Sequence, residues 1–466
     1  MKKIVVALSL ALTLSGCTLF YTDYKEPEFP KVASFKDAQK FLGEAICDDY
    51  FKAFNDSNLT KAIEIALKQN YDIKKAFVNV KKALLNVDIV ATDKHPSMEA
   101  NLGAQTKRAL DHHDKSVKTS SSNFAISYQA DLFGKINAQD ESAKAAFEAT
   151  AYDYKAMRLT IIEATAKAYW QYAYAKEAVK IGEDDLKDSF TRLNLVNQKF
   201  QAGAANSLDV DDAHINHLKV QAQLDIRRAN FAKAKTALNT MLGFTADTDI
   251  TVSALDDASI PEFSTDVPLK LLKRRPDLLK DEALLKQAYA DYNLAKVSFF
   301  PDFTLKAAIT GGDTNTFANF FANPIGALGA TATMPFLNFN ELSLRKNKAY
   351  KDIEWYELNF VSDYINAVAE VYDEITNVDL YQKSLMTYKH SYELAVRNYA
   401  RYEQRYQSGL VSLTDFLSSA DTMRNAKIIY LEAKLNNLNT TITLMTALGG
   451  DNTKDLTELT NKALDD

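Results

Sequence analysis

Two aspartates hold matched places in this chain, and their settings suggest what they could do. Asp209 stands six residues after Gly203, and Asp415 stands six residues after Gly409. An aromatic residue precedes each glycine by three places, Phe200 in one copy and Tyr406 in the other. Carboxylates confined to a narrow ring are poorly screened from one another, so such a ring favours cations and binds multivalent ones. An aspartate early in a helix also serves the helix itself, by complementing its dipole and its free N–H groups.

Other residues point to other chemistry. His214 and His217 lie at i, i+3 on one helix face, a spacing that can bind a metal. No third ligand is evident and the matching stretch, 417–423, has no histidine, so a solvated helix face is expected. His112-His113 falls in a polar loop. Cys17 follows Leu14-Ser15-Gly16, after the charged pair Lys2-Lys3 and an apolar run from Ile4 to Leu14. Charge, apolar run and small residues in that order are a processing signal, and the run is too short to span a bilayer. The one other cysteine, Cys47, reads as a small, partly buried apolar residue, and no intramolecular disulfide is expected. There is no glycine-rich phosphate loop and no convincing nucleophile–base spacing, so neither catalysis nor a cofactor is expected.

The paired sites belong to a duplicated unit. Each copy runs helically from its aspartate to a Leu-Gly pair, Leu242-Gly243 and Leu448-Gly449. The offset is constant: 409 − 203, 415 − 209 and 449 − 243 all equal 206. Breakers that stay in register over this distance mark an internal repeat.

Composition sets the class. The chain of 466 residues has only 14 Gly and 9 Pro, which favours long helices. Its formal charge is −6, and loss of Lys2 and Lys3 with the signal makes it −8. No basic patch stands out, which argues against nucleic acid as a partner.

In chain order, residues 1–16 form the signal and 17–57 an irregular arm. The first unit covers 58–244. A continuous helix begins near Asn58, carries Ala62, Ile65, Ile73, Phe77, Val80 and Leu84 at helical spacing, and ends at Asp93-Lys94-His95-Pro96. The period then becomes two. Met98, Ala100, Leu102 and Ala104 alternate with Glu99, Asn101, Gly103 and Gln105; Phe124, Ile126, Tyr128 and Ala130 alternate with Ala125, Ser127 and Gln129. This is a hairpin over 97–132 with one apolar face and one small or polar face. Its strands suit a membrane-spanning length of ~9–11 residues. A proline-free helix follows, then the tip at Gly203, then a helix to Leu242. An acidic mid-body loop fills 245–266. The second unit, 267–450, repeats the order: a helix, a hairpin over 302–337 that includes Met334 and Phe336, a helix from Leu342, and the tip at Gly409. The long helices span roughly 100 Å, so a post-tip helix and a pre-hairpin helix must stack end to end to match one. The tail, 451–466, is acidic and expected to be loosely held.

This order resembles the TolC-like outer-membrane factors, in their lipidated efflux branch. The resemblance covers nearly all of the chain after the signal. It rests on the lipobox at Cys17, on Asp131-Leu132-Phe133-Gly134, on Leu272 to Asp277, on Phe299-Phe300-Pro301 and on the two glycine tips, all in sequence order. It implies a mainly α fold with a transmembrane β part. Long antiparallel helices would form a periplasmic tunnel, and four strands per chain would join a trimeric barrel. It implies a passive outer-membrane duct for drugs or other solutes, a homotrimer, a periplasmic adaptor and an inner-membrane pump of the RND type. A lipid on Cys17 would join the outer membrane. Asp209, Asp415, Tyr406 and Phe200 would form the gate, and Gly203, Ala204, Gly409 and Leu410 the adaptor contact. Two places depart from the family. Val411 stands where a gate arginine can occur, and Asp48-Asp49-Tyr50-Phe51 where a tryptophan pair is common. The alternatives are the duct of a type I protein secretion system and, from another class, a non-conducting coiled-coil lipoprotein spacer. The spacer accounts for the helices and the lipid, but not for two hairpins at matched positions. The hairpins also make an independent demand. Four strands are too few to close a membrane barrel, and an open edge cannot face lipid, so membrane strands here require oligomerisation.

Overall fold

The computed structural model describes residues 20–30, 50–108, 116–246, 248–261, 274–313, 319–450 and 456–465. Cys17, Cys47, His112 and His113 lie outside the described residues. The elements are α1 (Ser57–Gln69), α2 (Tyr71–Thr92), β1 (Ser97–Lys107), β2 (Val117–Ala130), α3 (Lys135–Gln201), α4 (Ser207–Leu242), α5 (Pro276–Val297), β3 (Asp302–Asp313), β4 (Ile325–Thr333), α6 (Phe339–Gln407), α7 (Leu413–Ala447) and α8 (Thr457–Asp465).

The helix α3 has 67 residues and α6 has 69, which at ~1.5 Å per residue makes each about 100 Å long. The shorter helices reach that length in pairs. At the end of α4, Asn70 Nδ2 donates to the Met241 carbonyl at 2.9 Å, which joins α4 to the start of α2. At the end of α7, Arg275 donates to the Ala447 carbonyl at 2.9 Å, which joins α7 to the start of α5. Laterally, α3 packs on α2 and α4 on one side and on α5 and α7 on the other, and α6 packs on α5 and α7. One flank of α4 and one flank of α6 therefore stay open, with Leu218, Ile226, Trp355 and Leu358 exposed there.

The four strands form one antiparallel sheet in the order β1-β2-β3-β4. Cross-strand partners share a face, so the register reads the faces directly. Met98, Ile126, Ala307 and Leu328 lie on one row and Ala100, Phe124, Ile309 and Gly326 on the next row of that face. The opposite face carries Glu99, Ala125, Ala308 and Ala327, then Asn101, Asn123, Thr310 and Ile325. The apolar face is open: Met98 is 80% and Leu328 91% exposed. Both β1 and β4 are edge strands. Among the described residues, no helix is long and apolar enough to cross a membrane.

Five sequence expectations change. The helix expected to run unbroken from residue 58 stops at Gln69 and restarts at Tyr71. Asn70, with ψ 131°, is extended, and its side chain accepts from the N–H groups of Asp72 and Ile73. An asparagine with this local bonding caps a helix better than it continues one. The second hairpin ends at Thr333, not 337; Pro335–Asn338 is a 3-10 turn, so Met334 and Phe336 are not strand residues. Proline without an N–H cannot continue the ladder. The helix after it begins at Phe339 rather than Leu342. The end of the arm is not irregular: Tyr50–Phe54 is a 3-10 turn whose Tyr50, Phe51 and Phe54 are buried in the main core with Trp170 and Leu59. The tail is not loose throughout. Helix α8 places Leu459 and Ala463 against that core and Lys462 over the Phe77 ring.

The mid-body loop is tied to the same core. Asp56 accepts from Tyr169 Oη at 3.0 Å and from Ser253 Oγ at 2.9 Å, and it caps α1 through the N–H groups of Asn58 and Leu59.

Candidate functional site

Both tips are built by the same backbone device. In the first, Gly203 N–H donates to Phe200 O at 3.0 Å and Ala204 N–H to Lys199 O at 2.7 Å. In the second, Gly409 N–H donates to Tyr406 O at 2.9 Å and Leu410 N–H to Arg405 O at 2.8 Å. This pair of bonds is the Schellman ending, which needs a left-handed residue at the glycine. Gly203 has φ 71° and Gly409 φ 74°, and a Cβ at either place would meet no atom within 4 Å. Backbone conformation alone therefore calls for glycine within the chain.

The aspartates then start the return helices. Asn206 caps α4: its Oδ1 accepts from Asp209 N–H at 3.0 Å, and Asp209 Oδ2 accepts from Asn206 N–H at 2.9 Å. Ser412 caps α7 the same way. Its Oγ accepts from Asp415 N–H at 3.1 Å and donates to Asp415 Oδ2 at 2.7 Å, and Ser412 N–H donates to that oxygen at 3.2 Å. Each aspartate is thus the third residue of its helix in a reciprocal capping box. The hydroxyl and N–H of Ser412 hold the Asp415 carboxyl below the usual carboxylate range.

The side chains around the two tips differ. Tyr406 stacks on Phe416 at 5.3 Å, and Phe416 stacks on Tyr399 at 5.4 Å, a three-ring ladder. Phe200 is half exposed, and the residue 206 before Phe416 is Val210, so the first tip lacks this ladder. Ala202, Gly203, Ala204 and Leu410 are exposed, while Ala205 and Val411 are half-buried.

Above the tips, three helices are linked by charge. Arg424 on α7 bonds Asp185 on α3, reaches Asp188 at 2.9 Å and Asp421 at 2.8 Å. Arg192 on α3 pairs with Asp421, and Arg227 on α4 reaches Asp185 at 3.1 Å. Burial works against the Arg424 charge, but Asp185 and Asp188 outweigh it and hold the guanidinium above its ordinary range. Beside the network lies a cleft of about 540 Å³ lined by Lys180, Asp184, Tyr392, Tyr399, Phe416 and Met423. Charged cross-links between helices and two capped tips hold the helix pairs to one another.

The strands, the duplicated long helices and the tips match one family model, the outer membrane efflux protein, over residues 62–244 and 267–450. The chain belongs to the outer membrane efflux protein family. Among relatives, the toxin and drug export protein A of Aggregatibacter actinomycetemcomitans is 24% identical, over 93% of this chain and 95% of its own. The pyoverdine export outer membrane protein OpmQ of Pseudomonas aeruginosa is 26% identical, over 86% of this chain and 87% of its own. In fold, the CmeC outer membrane channel of Campylobacter jejuni superposes with a TM-score of 0.83 at 20% identity, covering 95% of this chain and 98% of that one. The MtrE channel of Neisseria gonorrhoeae in its open state gives 0.77 at 21% identity, over 93% and 99%. The fold is TolC-like, with two repeats and four strands, and the chain is an outer-membrane efflux channel. Its family and structural neighbours are channel or transport proteins.

Within this efflux family member, His217 packs between neighbouring helices. His217 Nδ1 lies 2.9 Å from Ser189 Oγ, and its ring lies against Phe190. Among the described residues, no group of three or more His, Cys, Asp or Glu could hold a metal. The charge network and the ring ladder escaped the sequence. Asp185, Asp188 and Arg192 do sit at helical spacing, a faint signal, but their partners Arg424 and Asp421 are more than two hundred residues away. A carboxyl pair was also missed: Asp281 on α5 and Asp363 on α6 share a hydrogen bond. Burial, then the neighbouring Asp363 charge, pushes Asp281 up to about 7.

Proposed function

We propose that three copies of this chain close a single barrel and tunnel, a homotrimeric passive duct from periplasm to exterior for drugs or other solutes. The observation that carries this is the sheet: an apolar outer face with two unpaired edge strands, β1 and β4. Such edges cannot stand in hydrocarbon, and four strands are below the ~8 that known membrane barrels need. Three chains of four strands meet that need. The test is the native mass of the detergent-extracted protein. A trimer is expected; a folded monomer overturns the proposal. The duct carries out no catalysis. The non-conducting spacer has no support from the family.

The tips are the docking surface for a periplasmic adaptor that links the duct to an inner-membrane pump of the RND type. Leu410 is 70% exposed at the end of a helix pair, and apolar groups there call for a cover. Gly203, Ala204 and Gly409 offer close backbone approach beside it. Gly409→Trp should leave the trimer intact and abolish both drug resistance and crosslinking to the adaptor; retention of both overturns docking at the tip. Asp209 and Asp415 form the closed gate's carboxylate ring, with Tyr406 and Phe200 as its bulk. Asp209→Ala/Asp415→Ala should raise single-channel conductance and weaken cation selectivity. Unchanged values leave these residues to helix capping alone.

Cys17 carries the lipid. It lies three residues before Phe20, whose ring packs on Phe300 at 4.7 Å where strand gives way to helix. Cys17→Ser should lose fatty-acid labelling, and equal labelling sinks the assignment. A protein-secretion duct is the second reading. The relative named for toxin and drug export favours keeping it, and cargo in cells lacking the chain decides between them.

A further inference from the structure

The internal repeat gives the open helix flanks a template, and the argument rests on the trimer proposed above. Within the chain, α3 of the first unit lies against α7 of the second. The repeat offset carries α3 onto α6 and α7 onto α4. The same contact made between copies sets α6 of one against α4 of the next, a head-to-tail arrangement that closes into a ring. The strands follow the same rule: β2 pairs with β3 inside the chain, which leaves β4 to meet β1 of the next copy.

The chemistry at these equivalent places is not the same. Inside the chain the α3–α7 seam is charged, through Asp185, Asp188, Arg192, Asp421 and Arg424. Their repeat equivalents on α4 are Ile215 and Leu218, from 421 − 206 and 424 − 206. Those on α6 are Ser391, Leu394 and Asn398, from 185 + 206, 188 + 206 and 192 + 206. No charge survives at any of the five places. Ile215, Leu218 and Leu394 are instead 51%, 52% and 44% exposed in the single chain. Three apolar side chains open to water at matched positions call for a cover.

We infer that Leu218 of one copy packs on Leu394 of a second copy with Ile215 beside Asn398, in the register that Arg424 takes on Asp188 and Asp421 takes on Arg192 within the chain. The duct's lower wall then alternates between charged seams inside each chain and apolar seams between chains. Salt screens charge pairs but does not weaken apolar contacts, so the two seam types are separately addressable.

The experiment uses the full-length protein in native outer membranes, with Cys47→Ser as background. Leu218→Cys with Leu394→Cys is treated with a short bis-maleimide. Within one chain, α3 and α7 lie between these two positions, so a link can form only between copies. Ladders of two and three chains are expected, at least tenfold above either single variant, with yield unchanged up to 1 M salt. Ile215→Cys with Asn398→Cys, the equivalents of Asp421 and Arg192, is the second pair, for the case where the first disturbs folding. Absence of a ladder from both pairs in a protein whose native mass is trimeric overturns the seam and leaves the trimer standing. Absence of both ladder and trimer overturns the two together. A ladder that fades severalfold in high salt overturns the apolar assignment.

Discussion

The two units of this chain solve one problem with different chemistry where helices meet end to end, and with the same chemistry where helices turn. At the first junction a neutral amide, Asn70, holds the Met241 carbonyl. At the second a guanidinium, Arg275, holds the Ala447 carbonyl, while Asp277 and Glu370 each lie 2.8 Å from it. The held carbonyls are 447 − 241 = 206 apart, so the geometry is the repeat's own. The tips, in contrast, use the same glycine ending and the same capping box twice. A left-handed φ and free N–H groups admit few side chains. A free carbonyl at a helix end admits any donor, so the units could diverge there.

This contrast can be broken most readily at the junctions. Arg275→Ala should have the largest effect, on the order of 3 kcal/mol, because two carboxylates and a carbonyl lose a mostly buried cation. Asn70→Ala should cost about 1–2 kcal/mol, through one carbonyl bond and the α2 cap. Thermal unfolding of the solubilised protein checks the order, and equal losses would erase the distinction drawn between the two junctions.

A second difference between the units concerns pH. The places of Asp281 and Asp363 are taken in the first unit by Ala76 and Met157: before the hairpins the offset is 205, as in 275 − 70 and 301 − 96, so 281 − 205 = 76, and after them it is 206, so 363 − 206 = 157. Asp281 titrates near 7 when folded and near the ordinary carboxylate range when unfolded. Between those values the folded chain holds a proton that the unfolded chain has lost. The contribution is therefore full in acid and is lost as pH rises through that window. Asp281→Asn should flatten this slope and gain stability relative to wild type at pH 8. A melting temperature with the same pH dependence in both proteins counts against the shared proton.

The tips sharpen the contrast from the other side. Gly203→Ala and Gly409→Ala should each cost about 1 kcal/mol, and nearly the same amount, since both glycines are left-handed and neither is crowded. A large inequality would mean that one tip is held by more than its backbone. The smallest effect belongs to Asp415, whose carboxyl is held below its ordinary range. Its capping contribution is present above the unfolded value and is lost as pH falls through the lowered one. Acid titration of the second tip, followed by hydrogen exchange at Ser412 and Asp415, should show loss of protection only in that acid range. Loss near neutral pH would assign the ordering to another group.

Much of the architecture was set by rules that act within a few residues. Helix period, strand alternation, a glycine after a long helix and a cap before the next are local. For that reason the tips at Gly203 and Gly409, the two sheet faces and the 206-residue repeat could be read from the chain itself. Boundaries failed where a local signal was ambiguous, as at Asn70 and Pro335, each compatible with a longer element until its backbone is known. What only the tertiary structure decided is partnership between distant residues. Arg424 with Asp185, Tyr169 with Asp56, Asp281 with Asp363, and Tyr50 and Phe51 in the core all join segments with no linear relation. A charged or aromatic side chain on a helix face reads the same whether it meets water, a partner or a like charge. Its energy is fixed by what lies across the interface, and that is known only once the helices are packed.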